Sequence, residues 1–246
     1  TDFLVLRYQR RESGGAGDRI VADRINADGA IVSSTDTGIT GSLDLLDVLA
    51  GKPDGYRLVR HLRPGTNDVI SYRLNNAGLY TGETGTLGPP TPPPFSEIRL
   101  IREGSHYLFA WRAPMPSQGI TRTYLTTITT EGQFGSANLV GDWRGTVAGL
   151  SLAAQGSHRL VFEGVRQQLS SSWFDVMSTT LGETFATIAQ VLVTQSATLQ
   201  SEVRVAAADP GYMVGWAELG PDRLARAFVR RFSLLGAPLD PSPREV

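Results

Sequence analysis

Tyr107-Leu108-Phe109-Ala110-Trp111 is the stretch that decides the fold, because four related runs accompany it at nearly constant spacing. Those runs of aromatic and aliphatic residues are Phe3–Arg7, Tyr56–Arg60, Arg159–Glu163 and Tyr212–Trp216. The five runs begin 53, 51, 52 and 53 residues apart. A turn glycine follows each run about two dozen residues later, and these glycines are Gly29, Gly78, Gly132, Gly182 and Gly236. A period of about fifty residues in a strand-rich sequence predicts a radial array of small sheets.

The unit around Tyr107 shows the plan of each repeat most clearly. Its alternating, fully apolar and threonine-rich segments predict four strands, at residues 95–102, 107–111, 120–128 and 134–140. Pro114 and Pro116 predict a loop over residues 112–119, because proline cannot donate to a strand ladder. The other units follow the same order, so each repeat is predicted to be a four-stranded antiparallel blade.

The repeat therefore predicts an all-β protein, a β-propeller of five four-stranded blades in a single domain over residues 1–246. The predicted blades are residues 1–40, 41–88, 95–140, 146–194 and 198–246. The first blade is predicted to lack its innermost strand in this chain, because Thr1 stands almost at the second strand. Three explanations would account for the absence of that strand: residues that precede Thr1, a longer ring of which this chain is a part, or an incomplete first blade.

Composition excludes several classes of function. The 246 residues carry a net charge of −1, which gives no electrostatic reason to expect nucleic acid as a partner. No cysteine is present, so disulfides and thiolate catalysis are excluded. No apolar run reaches about 18 residues, so no membrane span is predicted. A start without methionine or a leader predicts a processed or partial chain from a secreted, periplasmic or cell-surface protein.

Two segments carry a family resemblance. Tyr212–Trp216 with Arg231–Asp240, and Tyr107–Trp111 in the third unit, resemble the degenerate repeats of bacterial secreted β-propeller proteins. That resemblance implies a propeller and no single activity, because lectins, surface binding proteins and glycosidases share the architecture. The tryptophan that closes the motif survives only in these two units, and Arg7, Arg60 and Glu163 replace it elsewhere.

Catalytic and metal-binding motifs are weak in this sequence. His106 and His158 both follow a Gly-Ser pair before a second strand, so they are interpreted as features of the repeat. His61 has no triad-like context, and no nucleophile elbow is present. No spacing typical of a metal site occurs, and no cofactor or metal ion is predicted.

Glycosidase chemistry needs two carboxyl groups about 5–10 Å apart, which a propeller would supply from its first strands. The acids on the predicted first strands are Asp44, Asp47, Glu97 and Glu202. Glu97 and Glu202 are the candidates for this chemistry. The acids form no recognisable set across successive blades, so the sequence predicts no enzyme and names no catalytic residue.

Binding is the leading prediction. Arginine and tryptophan anchor many interfaces, and residues of both types fall on predicted loops at one face of the blades. These candidate binding residues are Arg63, Arg112, Trp143, Arg144 and Arg166. For Trp143 the alternative is a residue packed between neighbouring blades. The predicted function is a non-catalytic binding or assembly module of an exported bacterial protein, with a protein partner or its own copies. A carbohydrate-binding lectin and a five-bladed glycosidase are the alternatives.

Overall fold

A computed structural model gives the architecture of most of the chain. It describes residues 3–9, 19–40, 46–51, 55–61, 69–87, 97–144, 147–165, 175–194, 199–220 and 222–246. These residues form nineteen β-strands in five antiparallel sheets and one short 3-10 helix at Pro116–Gln118. No helix in this described part is long or apolar enough to cross a bilayer.

The first two sheets come from the N-terminal part of the chain. The first contains β1 (Phe3–Gln9), β2 (Arg19–Ile25) and β3 (Ile31–Thr40). The second contains β4 (Leu46–Gly51), β5 (Gly55–His61), β6 (Val69–Leu74) and β7 (Tyr80–Leu87). Each strand pairs with the next along the chain. The three-stranded first sheet and four-stranded second sheet confirm the predicted difference between these blades.

The other three sheets have four strands each, again in sequence order. The third contains β8 (Glu97–Glu103), β9 (His106–Met115), β10 (Ile120–Ile128) and β11 (Asn138–Arg144). The fourth contains β12 (Val147–Gln155), β13 (His158–Val165), β14 (Asp175–Leu181) and β15 (Thr187–Thr194). The fifth contains β16 (Leu199–Ala207), β17 (Tyr212–Leu219), β18 (Ala225–Phe232) and β19 (Arg244–Glu245).

The second strand of each repeat supplies much of the core. In β9 every residue from Tyr107 to Ala113 is buried, which confirms that the apolar run is a strand covered on both faces. Between the fourth and fifth sheets, Leu160 packs with Val214, Trp216 and Phe232 in one apolar cluster. Burial of these side chains is the main favourable term holding neighbouring sheets together.

Two predicted boundaries in the third unit are wrong. Strand β9 continues to Met115, through the segment predicted as a loop, so Arg112 belongs to a strand. The outer strand β11 begins at Asn138 and extends to Arg144, while Phe134 forms only an isolated bridge with Ile128. One proline near the end of a strand is tolerated, and this is why Pro114 did not end β9.

The hairpin turn after the third strand recurs in all five sheets. It begins at Asn26, Asn75, Thr129, Gly182 and Ser233, where the first residue's amide donates to the carbonyl four residues on. The fourth residue of the turn has positive φ and is glycine in four sheets. In the fourth sheet this position is held by Phe185, with φ of 61°, and Gly182 starts the turn. The prediction that Gly182 is the repeat glycine is therefore wrong by three residues, because the equivalent position is Phe185.

Packing explains why the repeat selects glycine at that position. A Cβ on Gly236 would stand 2.8 Å from Oγ1 of Thr180 on β14 of the preceding sheet. A Cβ on Gly78 would collide with the Cβ of Ala22 on β2. In the third sheet the carbonyl of Gly132 accepts a hydrogen bond from Ser71 on β6. The turn of one sheet therefore rests on the third strand of the sheet before it.

The chain divides into two compact units. The first comprises Thr1–Pro94, Arg102–Leu108 and Thr127–Gly135, and the second comprises Phe95–Ile101, Phe109–Thr126 and Ser136–Val246. The prediction that residues 1–246 form a single domain stays a prediction. All residues of the candidate site lie in the second unit.

Candidate functional site

Five polar and aromatic side chains meet in the second compact unit and form what we call the acid–arginine cluster. They are Glu97 on β8, Arg112 on β9, Thr123 on β10, Trp143 on β11 and Glu163 on β13. Four strands of the third sheet and one of the fourth therefore contribute one residue each. Buried charged side chains are rare in proteins unless they are paired, which makes this cluster the first place to look for function.

Arg112 lies at the centre of the cluster. Its residue is 1% exposed, with Nη2 3.1 Å from Oε2 of Glu97 and Nε 3.8 Å from Oε1 of Glu163. Burial lowers the pKa of Arg112, and the negative charges of Glu97 and Glu163 oppose that change. Arginine still keeps its proton in proteins, so the guanidinium is a positive charge held between two carboxyl groups.

Glu163 is the most deeply buried acid of the cluster. Its residue is 1% exposed. Burial raises the pKa of Glu163, while the positive charge of Arg112 and hydrogen bonds from Thr123 and Trp143 lower it. The indole Nε1 of Trp143 donates to Oε2 at 2.8 Å, and Thr123 bonds to Oε1. Burial is the largest of these effects, so the pKa of Glu163 lies above its usual value. It is too enclosed to touch a substrate.

We expect Glu163 to make the stability of the protein depend on pH. Its pKa is higher in the folded chain than in the unfolded chain, so its contribution is fully present below about pH 4.5 and is lost as pH rises. The free energy of unfolding of wild type relative to Glu163→Gln should therefore fall between about pH 5 and pH 8, by at most about 1.4 kcal/mol per unit. Urea unfolding at both pH values measures this difference. The exposed control Glu183→Gln should show no such slope, and a flat or rising difference for Glu163→Gln would contradict the assignment.

Glu97 is the acid of the cluster that reaches solvent. Its side chain is 19% exposed, at the beginning of the first strand of the third sheet. Besides Arg112, it accepts a hydrogen bond from Nη2 of Arg99 at 2.7 Å and from the backbone N–H of Leu150 at 2.8 Å. The contact with Leu150 joins β8 to the first strand of the next sheet. Three partners therefore hold the carboxylate of Glu97, while part of its side chain stays accessible to solvent.

The candidate binding residues have different surroundings. Arg63 and Arg166 lie outside the described residues. Arg112 is buried, and Trp143 is half-buried against Glu163, so the structure brings these two together inside the cluster. Arg144 is exposed at the end of β11, opposite Ile120 of β10. Arg112 and Trp143 were predicted on loops, and their position in strands removes them from the exposed face.

The acids predicted on first strands are also only partly described. Asp44 lies outside the described residues, and for Asp47 and Glu202 only the backbone, in β4 and β16, is described. Glu97 and Glu202 each stand ten residues before the tyrosine that opens the second strand, Tyr107 or Tyr212. Each also begins a Glu-aliphatic-Arg tripeptide. The two glutamates therefore share the same offset in the sequence repeat, although Glu202 lies within the register shift between Ser201 and Arg204 of β16.

Sequence reasoning missed Glu163 as part of a site. The signal was present, because Glu163 replaces the closing tryptophan of the repeat that Trp111 and Trp216 retain. A carboxyl group at a position that is tryptophan in two other repeats predicts a buried acid with a specific partner. For the histidines, Nε2 of His106 contacts Oε2 of Glu103 at 2.7 Å, and the carbonyl of His158 accepts the Tyr212 hydroxyl. The side chain of His61 lies outside the described residues.

Solved structures with a similar fold are mostly glycoside hydrolases. An α-L-arabinofuranosidase from Fusarium graminearum, in complex with an iminosugar inhibitor, aligns with a TM-score of 0.64 and 10% identity over 82% of this chain and 66% of that chain. An endo-arabinase from Bacteroides thetaiotaomicron aligns with a TM-score of 0.55 and 12% identity, over 82% of this chain and 81% of that chain. An α-L-arabinofuranosidase from Lactobacillus brevis aligns with a TM-score of 0.54 and 9% identity, over 89% of this chain and 85% of that chain. This chain spans slightly less than two thirds of the Fusarium enzyme.

No family model matches the sequence, and neither does any curated protein. The resemblance to bacterial secreted propeller repeats therefore stays a prediction. At these identities the structural likeness shows the fold, and it confirms the predicted five-bladed β-propeller.

The comparisons contradict two predictions, that the chain is a non-catalytic binding or assembly module and that it is not an enzyme. The physical reason is that the binding argument relied on exposed loops. Two of its residues, Arg112 and Trp143, instead stabilise carboxyl groups inside the protein. The glycosidase alternative agrees better with the structures that share the fold.

Proposed function

We propose that the chain is a glycoside hydrolase and that Glu97 is one of its catalytic carboxylates. The observation that carries this proposal is the setting of Glu97: a partly exposed acid on a first strand, anchored by the buried Arg112. Glycosidases need carboxyl groups held rigidly beside the sugar, and anchoring through a buried ion pair supplies that rigidity. The arabinofuranosidase and the endo-arabinase that share this fold support the same reaction class.

The role assigned to Glu97 follows from its partners. It lies in ion pairs with both Arg112 and Arg99, at 3.1 and 2.7 Å, which is the state of a carboxylate that acts as base or nucleophile. A glycosidase also needs an acid that protonates the leaving oxygen. We assign that role to Glu202, because its position in the repeat matches that of Glu97. Glu163 then acts through Arg112 as a positioning residue.

The substrate we propose is a glycan that contains α-L-arabinofuranosyl units, the sugar named in two of the similar structures. The partner of the site is thus a carbohydrate. Polymers of this kind lie outside cells, and this supports the predicted export of the chain from a bacterium. The resemblance to secreted propeller repeats forms part of the same proposal.

Hydrolysis of a chromogenic α-L-arabinofuranoside and of linear arabinan tests the proposal. Wild type should release nitrophenol or reducing sugar, and Glu97→Gln should lower kcat by at least about 100-fold while the protein stays folded. Glu202→Gln should have a similar effect. The control Glu183→Gln removes an exposed turn acid of the fourth sheet and should leave kcat unchanged.

Two outcomes would count against the proposal. A Glu97→Gln variant that hydrolyses substrate at the wild-type rate would show that Glu97 takes no part in the reaction. Wild type that binds arabinan in calorimetry but never cleaves it would favour the lectin alternative instead.

A further inference from the structure

The C-terminal segment encloses a cavity that the proposed reaction does not use. After the bridge between Phe232 and Pro238, and the hydrogen bond from Leu239 N–H to the Arg231 carbonyl, the chain leaves the edge of β18. It returns as β19, where Arg244 pairs with Val229. The bowed stretch between them and the face of β17 and β18 enclose about 690 Å³, which we call the tail pocket. This volume is typical of sites for small molecules.

One face of the fifth sheet forms the floor of the tail pocket. Met213 is opposite Arg231 in the ladder, and Val229 is opposite Arg244, so alternation places these four side chains on the same face. Met213 is 44% exposed, so its apolar side chain is open to a ligand in the pocket. Pro241 and Pro243 of the bowed stretch form the opposite wall. The pocket therefore offers apolar surface on two sides.

The charges that line the tail pocket do not balance. Arg231 is paired with Asp240, at 2.6 Å from Nη2 to Oδ1, and this pair neutralises both groups. Arg230 alternates with Val229 and Arg231, so its side chain leaves the other face of β18. There it donates to the carbonyl oxygens of Asp240, Pro241 and Val193 and holds the bowed stretch in place.

Arg244 supplies the positive charge on the pocket face that has no hydrogen-bond or ion-pair partner within the described part of the chain. The hydrogen bonds and charge of Arg231 lower the pKa of Asp240 to about 2, and the charge of Arg244 is near enough to contribute. The neighbouring Glu245 points to the other face of β19 and pairs with Arg226 at 3.6 Å. The pocket face of the fifth sheet thus carries one positive charge, that of Arg244, which no described side chain pairs with, beside the apolar side chains of Met213 and Val229.

We propose that the tail pocket binds a small ligand that carries an oxyanion, either the carboxylate of a sugar acid or the phosphate of a sugar ester. The planar guanidinium of Arg244 matches both groups, because it donates two parallel hydrogen bonds to carboxylate or phosphate oxygens. The carbon skeleton of the sugar packs against Met213, Val229 and the two prolines. The anion restores the balance of charge in the pocket.

Isothermal titration calorimetry with three probes tests this proposal: D-galacturonate, D-glucose 1-phosphate and neutral D-galactose. At least one of the two anions should bind, galactose should not, and added salt should weaken binding. Arg244→Gln should reduce the affinity by about tenfold or more, and Arg244→Lys, which keeps the charge without the fork, should fall between it and wild type. Thermal unfolding confirms that both variants are folded.

Arg226→Gln is the matched control, since it removes an arginine from the same sheet on the face away from the pocket. It should leave the affinity unchanged. Binding of only galacturonate or only glucose 1-phosphate identifies the oxyanion. Failure of both to bind, equal binding of galactose, or an affinity unaffected by Arg244→Gln would each overturn the proposal. Calorimetry requires no hydrolysis, so this result is independent of whether the chain cleaves arabinan.

Discussion

Replacing Arg112 with leucine should destabilise the protein by about 3–5 kcal/mol at neutral to alkaline pH, the usual effect of removing one partner from a buried ion pair. The guanidinium is the positive charge that Glu163 faces within the cluster, and Glu163 is almost completely enclosed. Without it Glu163 must ionise in an apolar setting or keep its proton at a cost that grows with pH. Urea unfolding monitored by tryptophan fluorescence measures the loss.

The double variant Arg112→Leu with Glu163→Leu separates a charge effect from a packing effect. Replacing both members of a buried pair by apolar residues is often neutral, so the double variant should regain most of the lost stability. Arg122→Leu is the control, because Arg122 pairs with Asp142 at 3.6 Å on the surface of the same sheet. It should cost less than about 1 kcal/mol. A double variant less stable than Arg112→Leu alone would show that packing, rather than charge, dominates.

The same substitution links stability to activity. Loss of Arg112 leaves Glu97 with Arg99 and the Leu150 amide as partners, so the carboxylate is less firmly placed. Activity should fall even at acidic pH, where protonation of Glu163 restores part of the stability. A positioning role predicts this separation between kcat and stability, and a purely structural role does not.

Much of the fold could be predicted from the sequence because each strand repeats its own pattern. The apolar run at Tyr107 and the threonine-rich run of β10 follow the period of two and the composition that sheets require. The ends of strands were less predictable. β11 extends to Arg144 because it pairs with β10 over its length, and that pairing is invisible in the local sequence.

The candidate site could be predicted only in part. Glu97 was recognised from its place on a first strand, but its anchoring depends on Arg112 and Leu150, which reach it from a neighbouring strand and the next sheet. Arg112 was expected in a loop because of nearby proline. The structure shows that its long side chain is buried, as arginine can be when carboxylates surround it. Such contacts between sheets follow from packing, which one sequence does not display.

The largest backbone effect should come from Gly211→Ala, with a loss of at least about 3 kcal/mol in the free energy of unfolding. Gly211 has φ of 106°, and a Cβ there would lie well under 3.0 Å from the carbonyl oxygen of Phe232. Neither atom can move freely, because Phe232 is fully buried and the next residue, Tyr212, donates its hydroxyl to the carbonyl of His158. The added methyl group must push the start of β17 away from β18.

Thermal or urea unfolding of two further variants tests this steric explanation. Gly55 holds the equivalent position in the second sheet, with φ of 101° and the carbonyl of Leu74 in the same place, so Gly55→Ala should cost as much. Gly29 also has positive φ, of 81°, but nothing lies within 4 Å of a Cβ there. Gly29→Ala should therefore cost only the backbone strain, about 1 kcal/mol. Equal losses at all three sites would mean that strain alone, and not the collision with the third strand, requires glycine before the second strand of the blade.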